Sequence, residues 1–333
     1  MHAVVTGGTG FLGRRLVKSL CEDGCAVRCL VRPSSDVSLL REELGDLWPQ
    51  VEVHRIDLTN ADECGQCLER GDVVFHLAAG LTGSTSTLFL NTVVPTRSLL
   101  SAAHAADVRR FVLVSSLGVY GTSDLPSGET LTEDTPLEVQ PHLRDPYTFS
   151  KVVQEQAAWK FAKQNGLPLV IVRPGVIFGP GRGVLSGRVG LQLGRWLIRM
   201  GGRQTLPYTY VENCADAIRQ AGFASGINGE AVNVIDDDLP TAAQLVRQLS
   251  RRRLKPRCLW VPGPLIRPLS ALYEWYHRFS RGQVPDVISR YRSAAMWKPL
   301  QYSNAKARRL MGWKPAISFE EAFERSIGQL EKA

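Results

Sequence analysis

The stretch Thr6-Gly7-Gly8-Thr9-Gly10-Phe11-Leu12-Gly13 decides the reading of this chain. It follows a short apolar run, His2 to Val5, and opens an amphipathic segment, Phe11 to Glu22. Glycines at 7, 10 and 13 let a strand-to-helix turn close, let backbone N–H groups approach a pyrophosphate, and let the helix pack tightly on the sheet. The phosphates then meet the helix N-terminus, where unpaired N–H groups and the helix dipole favour an anion. A glycine triplet alone is weak evidence, but the strand before it and the helix after it make it a dinucleotide site.

Outward from this motif the same alternation continues. Valine-rich runs recur at Ala26 to Val31, Val51 to Ile56, Val73 to Leu77, Phe111 to Val114 and Leu167 to Val172, with helix-like segments at Thr87 to Ala106 and Pro146 to Asn165. Runs of this kind suit strands buried on both faces of a parallel sheet. The rhythm predicts an α/β fold, a doubly wound parallel (Rossmann) sheet with ligands at the carboxyl ends of its strands, plus a smaller C-terminal substrate-binding lobe. The expected division gives residues 1–174 to the cofactor domain and 175–333 mainly to the substrate lobe. A return at 206–224 is expected, with Pro207 to Val211 as strand and Asn213 to Ala224 as helix. After Arg173 a glycine-rich stretch, Gly175 to Gly190, gives way to what reads as helices separated by loops.

Cofactor choice is usually set at the end of the second strand. This chain reads Val31-Arg32-Pro33-Ser34-Ser35 there, with no carboxylate until Asp36. A guanidinium can hold a 2′-phosphate bidentately, with Ser34, Ser35 or Arg14 adding contacts, so NADP(H) is expected rather than NAD(H). Asp57-Leu58 after the third strand is placed near the adenine. Leu77, Ala78 and Ala79 after the fourth are small enough to let backbone approach the cofactor.

A second motif is Tyr147-Thr148-Phe149-Ser150-Lys151, preceded by Asp145-Pro146. The i to i+4 spacing puts phenol and ammonium on one helix face. A free phenol has a pKa of about 10, so an adjacent lysine cation together with a cationic nicotinamide is expected to stabilise the phenolate and fit Tyr147 for general acid–base work. Ser115-Ser116 ends the preceding strand, where a hydroxyl can hydrogen-bond a substrate carbonyl.

Composition fits a folded protein with a sizeable core: of 333 residues 44% are hydrophobic and 22% charged, and the formal net charge is +8. No run reaches the ~18 apolar residues of a membrane span, and no signal peptide fits ahead of Thr6, so a cytoplasmic protein without a membrane span is expected, peripheral association being left open. Seven cysteines, an odd number in a long chain, are expected to be reduced. Cys64 and Cys67 form a CxxC, and Cys21 and Cys25 lie one helical turn apart, but both pairs fall in ordinary helical sequence with no histidine beside them, so no metal site is expected. Arg251, Arg252 and Arg253, beside Lys255 and Arg257, read as the solvated end of a helix; no nucleic-acid signature accompanies them. The aromatic region Leu259 to Trp297 holds Trp260, Tyr273, Trp275, Tyr276, Phe279 and Trp297. It reads first as a lobe packing on the sheet domain, and otherwise as an apolar substrate lid or a membrane-surface helix.

Taken in order, these motifs resemble the extended short-chain dehydrogenase/reductase superfamily over nearly the whole chain. The resemblance also rests on His76 to Ala79, Asn91, Val119-Tyr120-Gly121, Arg173-Pro174, Gly179-Pro180-Gly181 and Leu310-Met311-Gly312-Trp313-Lys314-Pro315. It implies that Ser116, four residues before Tyr120, is the catalytic serine, with Tyr147, Lys151 and Asn91 completing the set. Lys151 would contact the nicotinamide ribose and lower the pKa of Tyr147. Thr6, Gly7, Gly10, Phe11, Leu12, Gly13, Tyr147, Lys151 and Pro174 join Arg32, Asp57, Leu58, Leu77, Ala78 and Ala79 as cofactor-binding residues. A homodimer through two long helices is a common arrangement in the superfamily. Sugar-nucleotide epimerases and dehydratases typically carry an Asn after the Arg of the sixth strand and an Arg gripping the diphosphate; this chain has neither in Arg173 to Gly179 or Leu206 to Asn213. It looks more like the 3β-hydroxysteroid dehydrogenase and dihydroflavonol-reductase-like branch. That implies an NADP(H)-dependent ketone–alcohol oxidoreductase acting on an apolar small molecule, which the Leu259 to Trp297 region would suit. The alternatives are a sugar-nucleotide enzyme, with Arg182, Arg195, Arg199 or Arg203 replacing the missing ligand, and a non-catalytic dinucleotide sensor.

Overall fold

A computed structural model describes residues 1–252, 254, 257–281, 283–284 and 287–328. Seven strands form its central sheet: β1 (His2–Thr6), β2 (Ala26–Val31), β3 (Val51–Arg55), β4 (Val73–His76), β5 (Arg110–Val114), β6 (Leu169–Pro174) and β7 (Glu230–Val234). Every pairing is parallel and the spatial order is 7-6-5-4-1-2-3, which makes the sheet Rossmann-like. Thr6 lies in register with both Leu30 and His76, so the carboxyl ends of three strands finish level at one edge.

The valine-rich runs become strands because both faces are covered. Ala3, Val5, Val27, Phe75, Val112 and Val170 pack with helix α1 (Phe11–Glu22) and with the helix Val211–Phe223, and Trp313 closes that core. Val4, Leu30, Val74, Phe111, Leu113 and Ile171 pack on the other side, against α2 (Thr85–Ala105) and α3 (Pro146–Asn165). Each such side chain contributes about 1.5–3 kcal/mol on burial. This fixes which residues of each strand face which helix, and hence which point at the sheet edge.

The β7 strand is supplied by residues beyond the expected return at 206–224. Within that return, Tyr208–Tyr210 is a strand, but it pairs with Val176–Phe178 in a separate two-stranded ribbon; the helix Val211–Phe223, α4, is the part that packs on the sheet. The region after Gly175 also holds strands where helices and loops were expected: Gly190–Leu193, Trp196–Met200 and Arg257–Val261 form a small mixed sheet. These strands are four or five residues long, too short to show a period. Phe178, Tyr208, Tyr210, Leu245, Phe319 and Phe323 make the core of this second lobe.

The two cysteine pairs lie on opposite faces of the sheet. Cys21 and Cys25 are in the α1 core, Cys64 and Cys67 in the α2 core, so no single ion can see all four. All four thiols have pKa values raised by burial. Arg252 pairs with Glu324 at the surface; Arg253 and Lys255 lie outside the described residues.

Candidate active site

The turn after β1 is closed by glycine for reasons visible in its contacts. Gly7 has φ +73°, and a Cβ there would stand 2.9 Å from the Ala78 nitrogen. The Gly10 N–H donates to the Gly7 carbonyl at 3.0 Å. A Cβ on Gly13 would lie 2.1 Å from that same oxygen, so the first turn of α1 can approach the loop only without one. Gly10 caps α1 without any side-chain hydrogen bond, which leaves the first-turn N–H groups aimed at the sheet edge. The cradle therefore fits a dinucleotide pyrophosphate.

The edge opens into a cleft of about 960 Å³. Gly7, Gly10, Phe11, Leu12, Gly13, Arg32, Asp57, Leu58, Leu77, Ala78, Ala79, Asn91, Ser116, Tyr147, Lys151 and Pro174 all border it. Thr6 does not: it is buried behind the turn, where its hydroxyl accepts from the Ala78 N–H at 3.2 Å and pairs with Nδ1 of His76 at 2.7 Å. Arg14 also turns away, donating to Glu43 at 3.0 Å, whereas Ser35 reaches the cleft. Arg32 is exposed and forms no ion pair among the described residues. Its loop is braced by Arg55, which donates to the carbonyls of Pro33 and Ser35 at 2.8 and 2.9 Å; the sequence offered no signal for that role.

Asp145 caps α3 by accepting from the Thr148 N–H at 2.9 Å, and Pro146 occupies the first helical position, as capping rules favour. Tyr147 is thereby fixed in the first turn, half-buried beside Ser116. Its phenol is raised above the ordinary range by burial. The nearby Ser116 hydroxyl and the charge of Arg182 act against this, and Asp145 adds to it. Lys151 is not among the causes of this shift. Lys151 is buried, and burial pulls it down to about 7 with Glu155 opposing. Its ammonium donates to the Val114 carbonyl and to Oε1 of Gln154, both at 2.8 Å.

Gln154 continues a buried chain of polar contacts that sequence reading did not find. Its Nε2 donates to the Thr96 hydroxyl at 2.7 Å, and that hydroxyl meets Nε2 of His76 at 2.8 Å. Burial, with Lys151 adding to it, lowers His76 to about 3, so the imidazole is neutral. The i to i+3 spacing of Lys151 and Gln154 on α3 was the one available signal.

The two serines separate cleanly. Ser115 is buried and donates to Oε2 of Glu155 at 2.6 Å; Glu155 also pairs with Arg173, whose other arm donates to the Tyr120 hydroxyl at 2.6 Å. Ser116 faces the cleft and accepts from the Gly118 N–H at 3.1 Å. Asn91 borders the cleft with its amide donating to the Thr87 carbonyl one turn back, at 2.9 Å. Leu81, Leu90, Val184, Leu185 and Met296 also line the cleft, as do Arg144, Arg182 and Arg188. The first arginine is bound to Glu138 at 3.0 Å, the second lies 5.5 Å from the Phe11 ring centre, and the third points at the Ala295 and Met296 carbonyls at 3.3 Å. The aromatic region contributes only Met296 here; Trp260 and Trp297 border a separate cavity. Its expected place at an apolar substrate is therefore corrected.

A dinucleotide cradle at the β1 turn and a Ser–Tyr–Lys group across the same cleft define a class, the extended short-chain dehydrogenase/reductases. The chain belongs to the NAD dependent epimerase/dehydratase family, whose model matches residues 3–234. It is 28% identical over 346 residues to 3 beta-hydroxysteroid dehydrogenase/Delta 5-->4-isomerase of Mycobacterium tuberculosis, covering 96% of this chain and 88% of that protein. It is 32% identical over 180 residues to Cinnamoyl-CoA reductase 1 of Petunia hybrida, an alignment spanning 53% of this chain and about half, 54%, of the reductase. Similarity to UDP-N-acetyl-alpha-D-glucosaminuronate decarboxylase of Bacillus cytotoxicus is 30% over 270 residues, covering 76% of this chain and 82% of the decarboxylase.

Proposed function

We propose that this protein is an NADP(H)-dependent oxidoreductase that interconverts a ketone and a secondary alcohol on a largely apolar substrate. The observation that carries this reading is that Ser116 and Tyr147 border the same cleft beside each other, with Lys151 one turn further along α3. Ser116 would hold the substrate carbonyl oxygen, and Tyr147 would deliver a proton to it. A phenol held above its ordinary range keeps its proton at neutral pH, which suits donation in the direction of reduction. Lys151 sits on the same helix face, its ammonium fixed by the Val114 carbonyl and Gln154. The dinucleotide, when bound, supplies or accepts the hydride. The unpaired guanidinium of Arg32 and the neighbouring Ser35 favour a 2′-phosphate, and the leucines and valine that line the cleft favour an apolar ligand.

Tyr147→Phe should lower turnover by about 10²- to 10⁴-fold while dinucleotide binding, followed by calorimetry, stays intact; near-normal turnover on a carbonyl panel would remove the assignment. Arg32→Ala should weaken NADPH binding by roughly tenfold or more and leave NADH binding unchanged, and equal losses for both would return the cofactor choice to NAD(H). A sugar-nucleotide reading is favoured by one observation, Arg182 and Arg188 beside the cleft, together with the decarboxylase relative. Saturable binding of UDP, GDP or dTDP in a thermal-shift screen would support it over the first reading.

A further inference from the structure

The helix Gly263–Phe279 carries its apolar face outward. Ile266 and Ser270 are buried, the latter meeting the Ser293 hydroxyl at 2.6 Å, whereas Leu265, Leu269, Leu272, Trp275, Tyr276 and Phe279 are exposed. The six recur at three- and four-residue spacing and cover roughly 120° of the helix circumference. Trp275 is 60% and Phe279 71% exposed, and their rings stack at 5.6 Å. Isolated exposed leucines are ordinary, but a continuous stripe of this size marks a surface that something covers.

Charge says what covers it. Residues 251–298 contain eleven Lys and Arg against two Asp and Glu, a balance of +9 where the whole chain has +8. The whole of the chain's positive excess therefore falls within this stretch of sequence, which contains the helix. Arg267 and Arg278 leave the helix beside the stripe and line a cavity of about 1440 Å³ with Arg199, Arg203, Arg290 and Lys298. One carboxylate, Glu274, is shared between Arg278 at 2.9 Å and Arg290 at 3.2 Å.

We propose that this face docks on an anionic lipid bilayer, with the helix lying in the interfacial plane. Leucine and phenylalanine side chains enter the acyl boundary, tryptophan and tyrosine sit at headgroup level, and the flanking guanidinium groups meet lipid phosphates. A second copy of the chain is a poorer occupant, because a two-fold pairing would bring the same arginine-rich rim against itself. No helix among the described residues is long and apolar enough to cross a membrane, so the attachment would be peripheral.

The test is co-sedimentation of the full-length chain with vesicles of phosphatidylcholine, with and without phosphatidylglycerol. Binding is expected only to the anionic vesicles and should be released by high salt. The double substitution Trp275→Ser and Phe279→Ser should lower the partition coefficient by about tenfold or more, and Arg267→Glu with Arg278→Glu by at least roughly tenfold. Thermal unfolding and dinucleotide binding should stay unchanged in both variants. Three results would overturn the proposal: no vesicle binding, equal binding to both lipid compositions, or a vesicle-indifferent dimer that the Trp275 and Phe279 substitutions convert to monomer in light scattering.

Discussion

Ser115 and Ser116 are chain neighbours with opposite surroundings, because successive side chains at a strand end point to opposite sides. One is consumed by the buried Glu155–Arg173 pair, which fixes the strand end; the other is left for chemistry. Lys151 shows the cost of such placement. Its pKa near 7 lies well below the usual lysine value of about 10.4, so above neutrality the folded protein releases a proton that the unfolded chain still holds. The contribution of Lys151 to stability should therefore rise with pH between about 7 and 10, against the buried thiols, whose raised pKa values act with the opposite sign. Lys151→Met should remove that rise, and denaturant midpoints measured across this window for both proteins give the comparison; parallel curves would contradict it. At this scale the sequence was informative where a side chain acts through spacing, as in Tyr147 and Lys151. It was silent where partners meet only in the fold, as in Arg55 under the Arg32 loop or Gln154, Thr96 and His76 behind the lysine.

Among the elements, α4 has the most specific anchor. Asn213 donates to Asp236 at 3.0 Å and to the Ile317 carbonyl at 2.8 Å, while its oxygen accepts from the N–H groups of Ala316 and Ile317 at 3.1 and 3.0 Å. One amide thus ties the helix N-terminus, the loop after β7 and the approach to the C-terminal helix Phe319–Ile327. Asn213→Ala should cost about 2–4 kcal/mol in urea unfolding, since several polar groups lose their partners together, and a change below about 0.5 kcal/mol would show that the tie is dispensable. Long elements were legible because their ends carry chemical marks: Asp145-Pro146 opens α3, and Gly166 closes it at φ +71°. The strands Val176–Phe178 and Tyr208–Tyr210 were harder, since three residues show no period and their partner is known only from the fold.

Across the whole molecule, the division into a cofactor sheet and a second lobe is spatial rather than sequential. The chain leaves the sheet after Pro174, builds the ribbon and two strands of the small sheet, returns for α4 and β7, leaves again to add the third strand at Arg257–Val261, and comes back with Trp313. The concentration of arginine in residues 251–298 belongs to this scale too, because no single side chain explains it and only the outward helix gives it a counterpart. The order of return bears on how the protein is made. As the chain emerges during synthesis, strands β1 to β6 are complete before α4, β7 and Trp313 exist, so the core face that these three cover stays apolar and open until residues as far on as Trp313 have been made. A nascent chain of this topology is open to mispairing over that interval.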